Sequence, residues 1–210
     1  MEEIVIIGGG GHAKVLVSLL RKLNSYNILG YTDLADRGQL FGFKYLGADE
    51  ILRERALVEK ELNVAIGIGQ IGLGRNRESA ETRLRGLAMK FPCIVSPGAI
   101  VNEGVSLASG VSVMDGAVIN SGASIGRGTI LNSNCTVEHD VQVGEWVHVA
   151  PGSTISGGVI IGRYSMVGAG AVVIEGRRIG SDCIIGAGST VIHDLTDPGT
   201  YVGSPARRIR

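Results

Sequence analysis

The sequence predicts two domains of different class: a small α/β domain over residues 1–92 and a parallel β-helix over residues 93–210. Two patterns carry that prediction. From Val95 onward an aliphatic residue returns at every sixth position, through Val101, Leu107, Val113, Ile119 and Ile125 to Val191, without an insertion. Ahead of that stretch, short apolar runs alternate with segments of helical spacing. A period of six suits neither an α-helix, near 3.6, nor one long alternating strand. It suits short strands joined by tight corners, each coil stacking its aliphatic residue on the coil before, which is the pattern of hexapeptide repeats.

In chain order, residues 4–7 are an apolar run that reads as a buried parallel strand. It leads into Gly8-Gly9-Gly10-Gly11-His12-Ala13, and then a helix with Val15, Leu16, Leu19, Leu20 and Leu23 at helical spacing. Residues 27–32 read as a second strand ending at Asp33, residues 48–60 as a helix, and residues 64–69 as a third strand. Residues 75–90 read as a helix with Leu84, Leu87 and Ala88 on one face, ended by Pro92. Strand–helix alternation in so short a stretch implies a small parallel sheet. In the repeat, the fourth position after each aliphatic residue is mostly small or β-branched, as in Ala117, Ala123, Thr129 and Ser153. Three hexads would complete a coil, and the repeat ends near Leu195. A turn at Asp197-Pro198-Gly199 and a short basic tail follow.

Composition narrows the function. Lys+Arg and Asp+Glu both number 20, so the chain lacks the basic footprint of a nucleic-acid binder. The 33 glycines concentrate in the repeat, where corners need positive φ. Of the three cysteines, Cys135 and Cys183 hold the small slot of the repeat and read as packed thiols in a reducing compartment. The acidic start Met1-Glu2-Glu3 does not suit a signal peptide, and no apolar run reaches the ~18 residues of a membrane span. A cytoplasmic protein is expected.

The loop Gly8-x-Gly10-x-x-Ala13, between a strand and a helix, matches the dinucleotide-binding fingerprint of a Rossmann-like sheet. Glycines let the backbone approach phosphate oxygens, and the helix N-terminus offers N–H groups to an anion. Asp33 stands where an acidic group meets a ribose. The same loop also suits a tight turn without a ligand. The domain is short for NAD, so a nucleoside diphosphate is the better guest. His12 either reaches a phosphate or caps the helix.

His139 sits two residues after the inward Val137, near a corner, with Glu138 and Asp140 on either side. A carboxylate beside a histidine raises its basicity and fixes its tautomer, which suits a general base. The spacing does not say which carboxylate touches the ring, and a solvated corner histidine is the plainer alternative. His148 lies half a coil away, on another side of the prism, so the two histidines converge only between subunits. A zinc site needs three protein ligands, and only His139, His148 and His193 lie in the repeat domain, with His193 at its far end. No metal site is expected.

Four blocks together resemble a known family: Gly8-Gly9-Gly10-Gly11-His12-Ala13-Lys14-Val15, the segment Asn132-Ser133-Asn134-Cys135-Thr136-Val137-Glu138-His139-Asp140, Val147-His148-Val149-Ala150-Pro151-Gly152, and the Gly203-Ser204-Pro205-Ala206 tail. They look like the bacterial nucleotide-sugar N-acetyltransferases and sialic-acid O-acetyltransferases of the hexapeptide-repeat acyltransferases. The resemblance implies a left-handed β-helix, a homotrimer with active sites between subunits, and acetyl-CoA as co-substrate. It implies His139 as the base for the amino group of a nucleotide-linked 4-amino-deoxy sugar, helped by Asp140 or Glu138. His148 and Asn132, with backbone around Gly157, Ala169 and Ala187, would serve acetyl-CoA. Gly8, Gly9, Gly10, Gly11, His12 and Asp33 would hold the nucleotide. UDP is the first expectation for it and GDP the second. Some members carry Glu where this chain has Asp140, and Ala187 replaces a glycine. A sialic-acid O-acetyltransferase, or a non-catalytic scaffold with a nucleotide-sensing loop, are the alternatives.

Overall fold

The computed structural model describes residues 1–56, 62–72, 75–87 and 89–210. These fall into two compact domains. The first comprises Met1–Gly69 and Asn76–Ile94, the second Gln70–Arg75 and Val95–Arg210. The excursion of Gln70–Arg75 into the second domain has no signature in the sequence.

The first domain runs β1 (Glu2–Ile7), α1 (Gly11–Leu23), β2 (Tyr26–Thr32), β3 (Tyr45–Gly47), α2 (Glu50–Ala56), β4 (Leu62–Ile66), α3 (Asn76–Arg83) and β5 (Met89–Lys90). All five strands are parallel, in the order β3-β2-β1-β4-β5. The order reverses between β1 and β4, and a crevice opens at the carboxyl ends of strands flanking such a switch point. Val5 and Ile7 of β1 pack into a core with Leu52, Leu62, Val64, Ala80 and Leu84. Ile4 and Ile6 alternate to the other face and are equally buried, so β1 is covered on both sides. Helix α1 buries Ala13, Leu16, Val17, Leu19 and Leu20, while Val15 is exposed. Asn24, in the left-handed region, ends it by returning its N–H to the Leu20 carbonyl.

The expected helix over residues 75–90 stops at Arg83. Tighter bonds follow, from Leu84 N–H to the Glu81 carbonyl and from Arg85 N–H to the Thr82 carbonyl, and Gly86 at φ +86° turns the chain into β5. Ala88 and residues 57–60 of the expected second helix lie outside the described residues.

The second domain is a prism of three parallel sheets. Pairing confirms the coil length: Ile100, Val118, Thr136, Thr154, Val172 and Thr190 follow one another at intervals of 18 residues across one face. Each aliphatic stop from Val113 to Val191 is buried, as are Cys135 and Cys183 in the small slot. Val101 departs from the expectation: it is 40% exposed, because the first coil has no coil beneath it. From Val101 to Ile185, the third residue after each stop takes the left-handed conformation. It is usually glycine, but Asn134, Asp140, Trp146, Tyr164 and Asp182 hold it at φ between 55° and 63°. A side chain there lies over the preceding coil, so a Cβ on Gly116, Gly122 or Gly128 would strike Asn134, Asp140 or Trp146 respectively. The prism does not end at Leu195. Gly199–Val202 adds to the strand Cys183–Ile185, and Arg207–Arg208 closes an antiparallel hairpin on it.

Candidate active site

His139 occupies the prism corner next to the left-handed residue Asp140, and its side chain is 57% exposed. The ring Nδ1 lies 3.0 Å from Asp140 Oδ2. A carboxylate only accepts, so Nδ1–H donates and the Nε2 lone pair is left for chemistry. This decides between the two neighbouring carboxylates. Glu138 turns away: Asn120 Nδ2 donates to its Oε2 at 2.8 Å, and Asn102 Nδ2 donates to Asn120 Oδ1 at 2.6 Å, a ladder across three coils. The hydrogen bond to Asp140 raises the His139 pKa above its ordinary value of 6.5. Partial desolvation opposes this, and the negative charges of Asp140, Glu138 and Glu175 add to the rise. The ring lies over Gly157, where an added Cβ would stand 2.6 Å from both Cε1 and Nε2.

His148 is buried and committed on both sides. Asn132 Nδ2 donates to its Nε2 at 3.0 Å, and its Nδ1–H donates to the Gln70 carbonyl at 3.1 Å. The Asn132 carbonyl oxygen is itself held by the Ser133 N–H at 2.8 Å, so the amide nitrogen faces the ring. Both ring nitrogens of His148 are therefore engaged within its own chain. It ties Gln70 to the prism. Gln70 Nε2 reaches the Tyr164 carbonyl, and Arg75 lies 4.0 Å over the Tyr164 ring and pairs with Asp182 at 2.8 Å. Within one chain His139 and His148 stay on different faces. Gly157 shares the His139 edge, whereas Ala169 and Ala187 stack on another, Gly188 N–H donating to the Ala169 carbonyl.

In the first domain, a cavity of about 450 Å³ opens at the switch point, lined by Gly8, Asp33, Asp49, Arg37 and Arg83, with Asn76 and Ser79 from α3. Gly8 at φ +95° turns the chain out of β1, and a Cβ on Gly9 would stand 2.5 Å from the Tyr31 ring. Asp33 does not stand clear of the loop. Its Oδ2 accepts the Gly9 N–H at 2.7 Å, and Arg37 Nε lies 3.7 Å away. Gly10, with no capping side chain, is the N-cap of α1, so His12 sits inside the first turn and does not cap it. A Cβ added to Gly10 or Gly11 would meet nothing within 4 Å. Arg83 meets Asp49 at 2.6 Å, and Asp49 also accepts from the Thr32 hydroxyl at 2.7 Å. Arg37, Asp49, Arg83, Gln70 and Asn120 were not legible as site residues, since none belongs to a motif and tertiary pairing alone brings each into place. Among the described residues, no cluster of three or more His, Cys, Asp or Glu side chains could hold a metal, and no helix is long and apolar enough to cross a membrane.

The family of the PglD N-terminal domain matches residues 3–77, and the bacterial transferase hexapeptide (six repeats) matches residues 122–157 and 158–193. Comparison with curated protein sequences gives no match. Among solved structures, a mutant of perosamine N-acetyltransferase from Caulobacter crescentus in complex with CoA and GDP-perosamine is 35% identical, with a TM-score of 0.90 over 100% of this chain and 98% of that one. The acetyltransferase domain of PglB from Neisseria gonorrhoeae in complex with acetyl coenzyme A is 30% identical, with a TM-score of 0.89 over 99% of each chain. WeeI from Acinetobacter baumannii, 22% identical with a TM-score of 0.86 over 100% of each chain, shares the fold. The left-handed hexapeptide-repeat prism and these likenesses define a hexapeptide-repeat acyltransferase. Within that superfamily, the chain belongs to the nucleotide-sugar N-acetyltransferases.

Proposed function

We propose that the chain transfers the acetyl group of acetyl-CoA to the amino group of a nucleoside-diphosphate-linked 4-amino-deoxy sugar, with His139 as general base. One observation carries this reading: a corner imidazole oriented by a carboxylate at 3.0 Å, with Nε2 facing outward over a glycine. As the amino nitrogen forms its bond to the thioester carbonyl carbon, its proton passes to Nε2. The carbon–sulfur bond then breaks and CoA leaves as the thiolate, which takes up a proton. Asp140 holds the tautomer that makes Nε2 the acceptor and stabilises the imidazolium. The cavity at the switch point, with Arg37 and Arg83, is the candidate nucleotide site. Its position at the carboxyl ends of the strands and its two guanidinium groups suit a diphosphate. GDP moves ahead of UDP, on the 35% identity to the GDP-perosamine complex. A homotrimer is part of the reading: the half-coil between His139 and His148 leaves a second chain to bring His148's surroundings toward the base. Ala169 and Ala187 would line acetyl-CoA through their backbones.

The test is thiol release from acetyl-CoA with GDP-, UDP- and dTDP-linked 4-amino sugars. His139→Ala is expected to lower kcat by about 10²–10⁴ with the circular dichroism unchanged. Unchanged turnover would end the assignment of His139.

A further inference from the structure

Glu175 stands on the same prism edge as His139, two coils further on. Main-chain bonds stack this edge: Gly158 N–H donates to the His139 carbonyl at 2.9 Å, and Gly176 N–H to the Gly157 carbonyl at 2.9 Å. The step between His139 and Glu175 is Gly157, which puts no side chain of its own in the gap. The ring leans across that glycine with its Cε1–Nε2 edge, each atom 2.6 Å from the site of an added Cβ. Asp140 holds the opposite edge through Nδ1. Glu175 is exposed, and among the described residues its carboxylate takes no hydrogen bond or ion pair. Only its main-chain carbonyl is engaged, by Arg177 Nε at 3.2 Å.

We propose that Glu175 is a positioning residue for the base: facing the Nε2 edge of His139 across Gly157, it stabilises the imidazolium that forms when the ring takes the proton of the attacking amine. The inference rests on the reading of His139 as base. Three anionic groups act on the ring: Asp140 through its hydrogen bond and charge, Glu138 held off by Asn120, and Glu175. Gly157 then has two purposes, to seat the ring and to leave the line to Glu175 open.

The experiment is an NMR titration of the His139 Cε1–H in the full chain, the signal assigned by its loss in His139→Gln. Through water a charge several ångströms away moves such a midpoint by a few tenths of a pH unit, less at high salt. Glu175→Gln is expected to lower the midpoint by about 0.2–0.4 in pH at low ionic strength and by less in 0.5 M salt. Glu175→Asp should restore most of it, and Glu175→Lys should lower it further. The acid limb of kcat/KM should move with the midpoint, while the melting temperature stays put. A midpoint fixed within 0.1, a shift indifferent to salt, or an acid limb that stays while the midpoint moves would each overturn the proposal. A moved midpoint in a protein that acetylates no amino sugar would instead remove the assigned reaction and leave the coupling between the two side chains.

Discussion

Gly157→Ala tests the seat of the base more sharply than removal of the base itself. The new methyl would stand 2.6 Å from His139 Cε1 and Nε2, where ordinary contact begins at 3.4 Å, so the ring must retreat by about 0.8 Å (3.4 minus 2.6). Gly157 is not among the positive-φ glycines, so alanine brings no backbone strain, and the group it displaces is an exposed ring on rotatable bonds. Stability should hardly change, with a melting temperature within about 2 °C of the parent. Catalysis should suffer, because a displacement near 1 Å at a reacting group costs about 10²-fold. We expect kcat to fall by about 10–100-fold in the thiol-release assay, with a normal melt. Gly162→Ala is the control of opposite phenotype. Its methyl would lie 2.4 Å from the Ser181 nitrogen and 2.5 Å from the Gly180 carbonyl carbon, both main-chain atoms of the next coil. There the coil must give way at about 1–3 kcal/mol, a loss of roughly 2–4 °C per kcal/mol. Retention of more than half of kcat in Gly157→Ala would refute the placement of the working base over that glycine.

Other outcomes follow from the same geometry. The His139 pKa lies above 6.5, and the base works only when neutral, so kcat/KM should fall as pH drops through a value above 6.5. In Asp140→Asn the main cause of the rise is gone, so that limb should move down toward 6.5 while kcat falls. A limb that stays in place would dissociate Asp140 from the base. Arg83→Gln removes a cavity cation and the 2.6 Å bond to Asp49, and should weaken nucleoside diphosphate binding about 10-fold or more in calorimetry, with the KM for acetyl-CoA unchanged. Equal affinity in the variant would move the nucleotide elsewhere. Asn132→Ala takes the donor from buried His148 Nε2 and should cost about 1–3 kcal/mol, read as a lower melting temperature.

The repeat was legible because stacked coils impose one spacing on the whole stretch, and that spacing carried the coil length, the buried column and the corner position of His139. The choice between Glu138 and Asp140 was not, since it depends on Asn120, 18 residues earlier, reaching one of them. The glycine loop was legible as a loop, but Asp33 spends its carboxylate on the Gly9 N–H, a bond no spacing rule reveals. Helix α3 was overread because Leu84 and Leu87 keep helical spacing beyond Arg83, where the bonds tighten before Gly86 in the left-handed region turns the chain away. The edge strands β3 and β5, three and two residues long, are too short to show a period. The tie between Gln70 and His148 joins positions 78 apart in sequence, beyond any local pattern.

The open first coil has a consequence for how the protein comes apart. In a stack where each layer touches only the layers on either side, opening spreads from an end inward, and the free energy of exposure rises layer by layer. Val101 and Ile100 mark the loose end, whereas the strand Thr136–Val137, just before His139, is paired on both sides. Amide exchange should therefore grade along the prism, quickest at residues 100–101 and slow around the base. On warming, the molecule would unravel from its first coil while the imidazole and its carboxylate still hold their geometry, so lost activity and first lost structure are separate events.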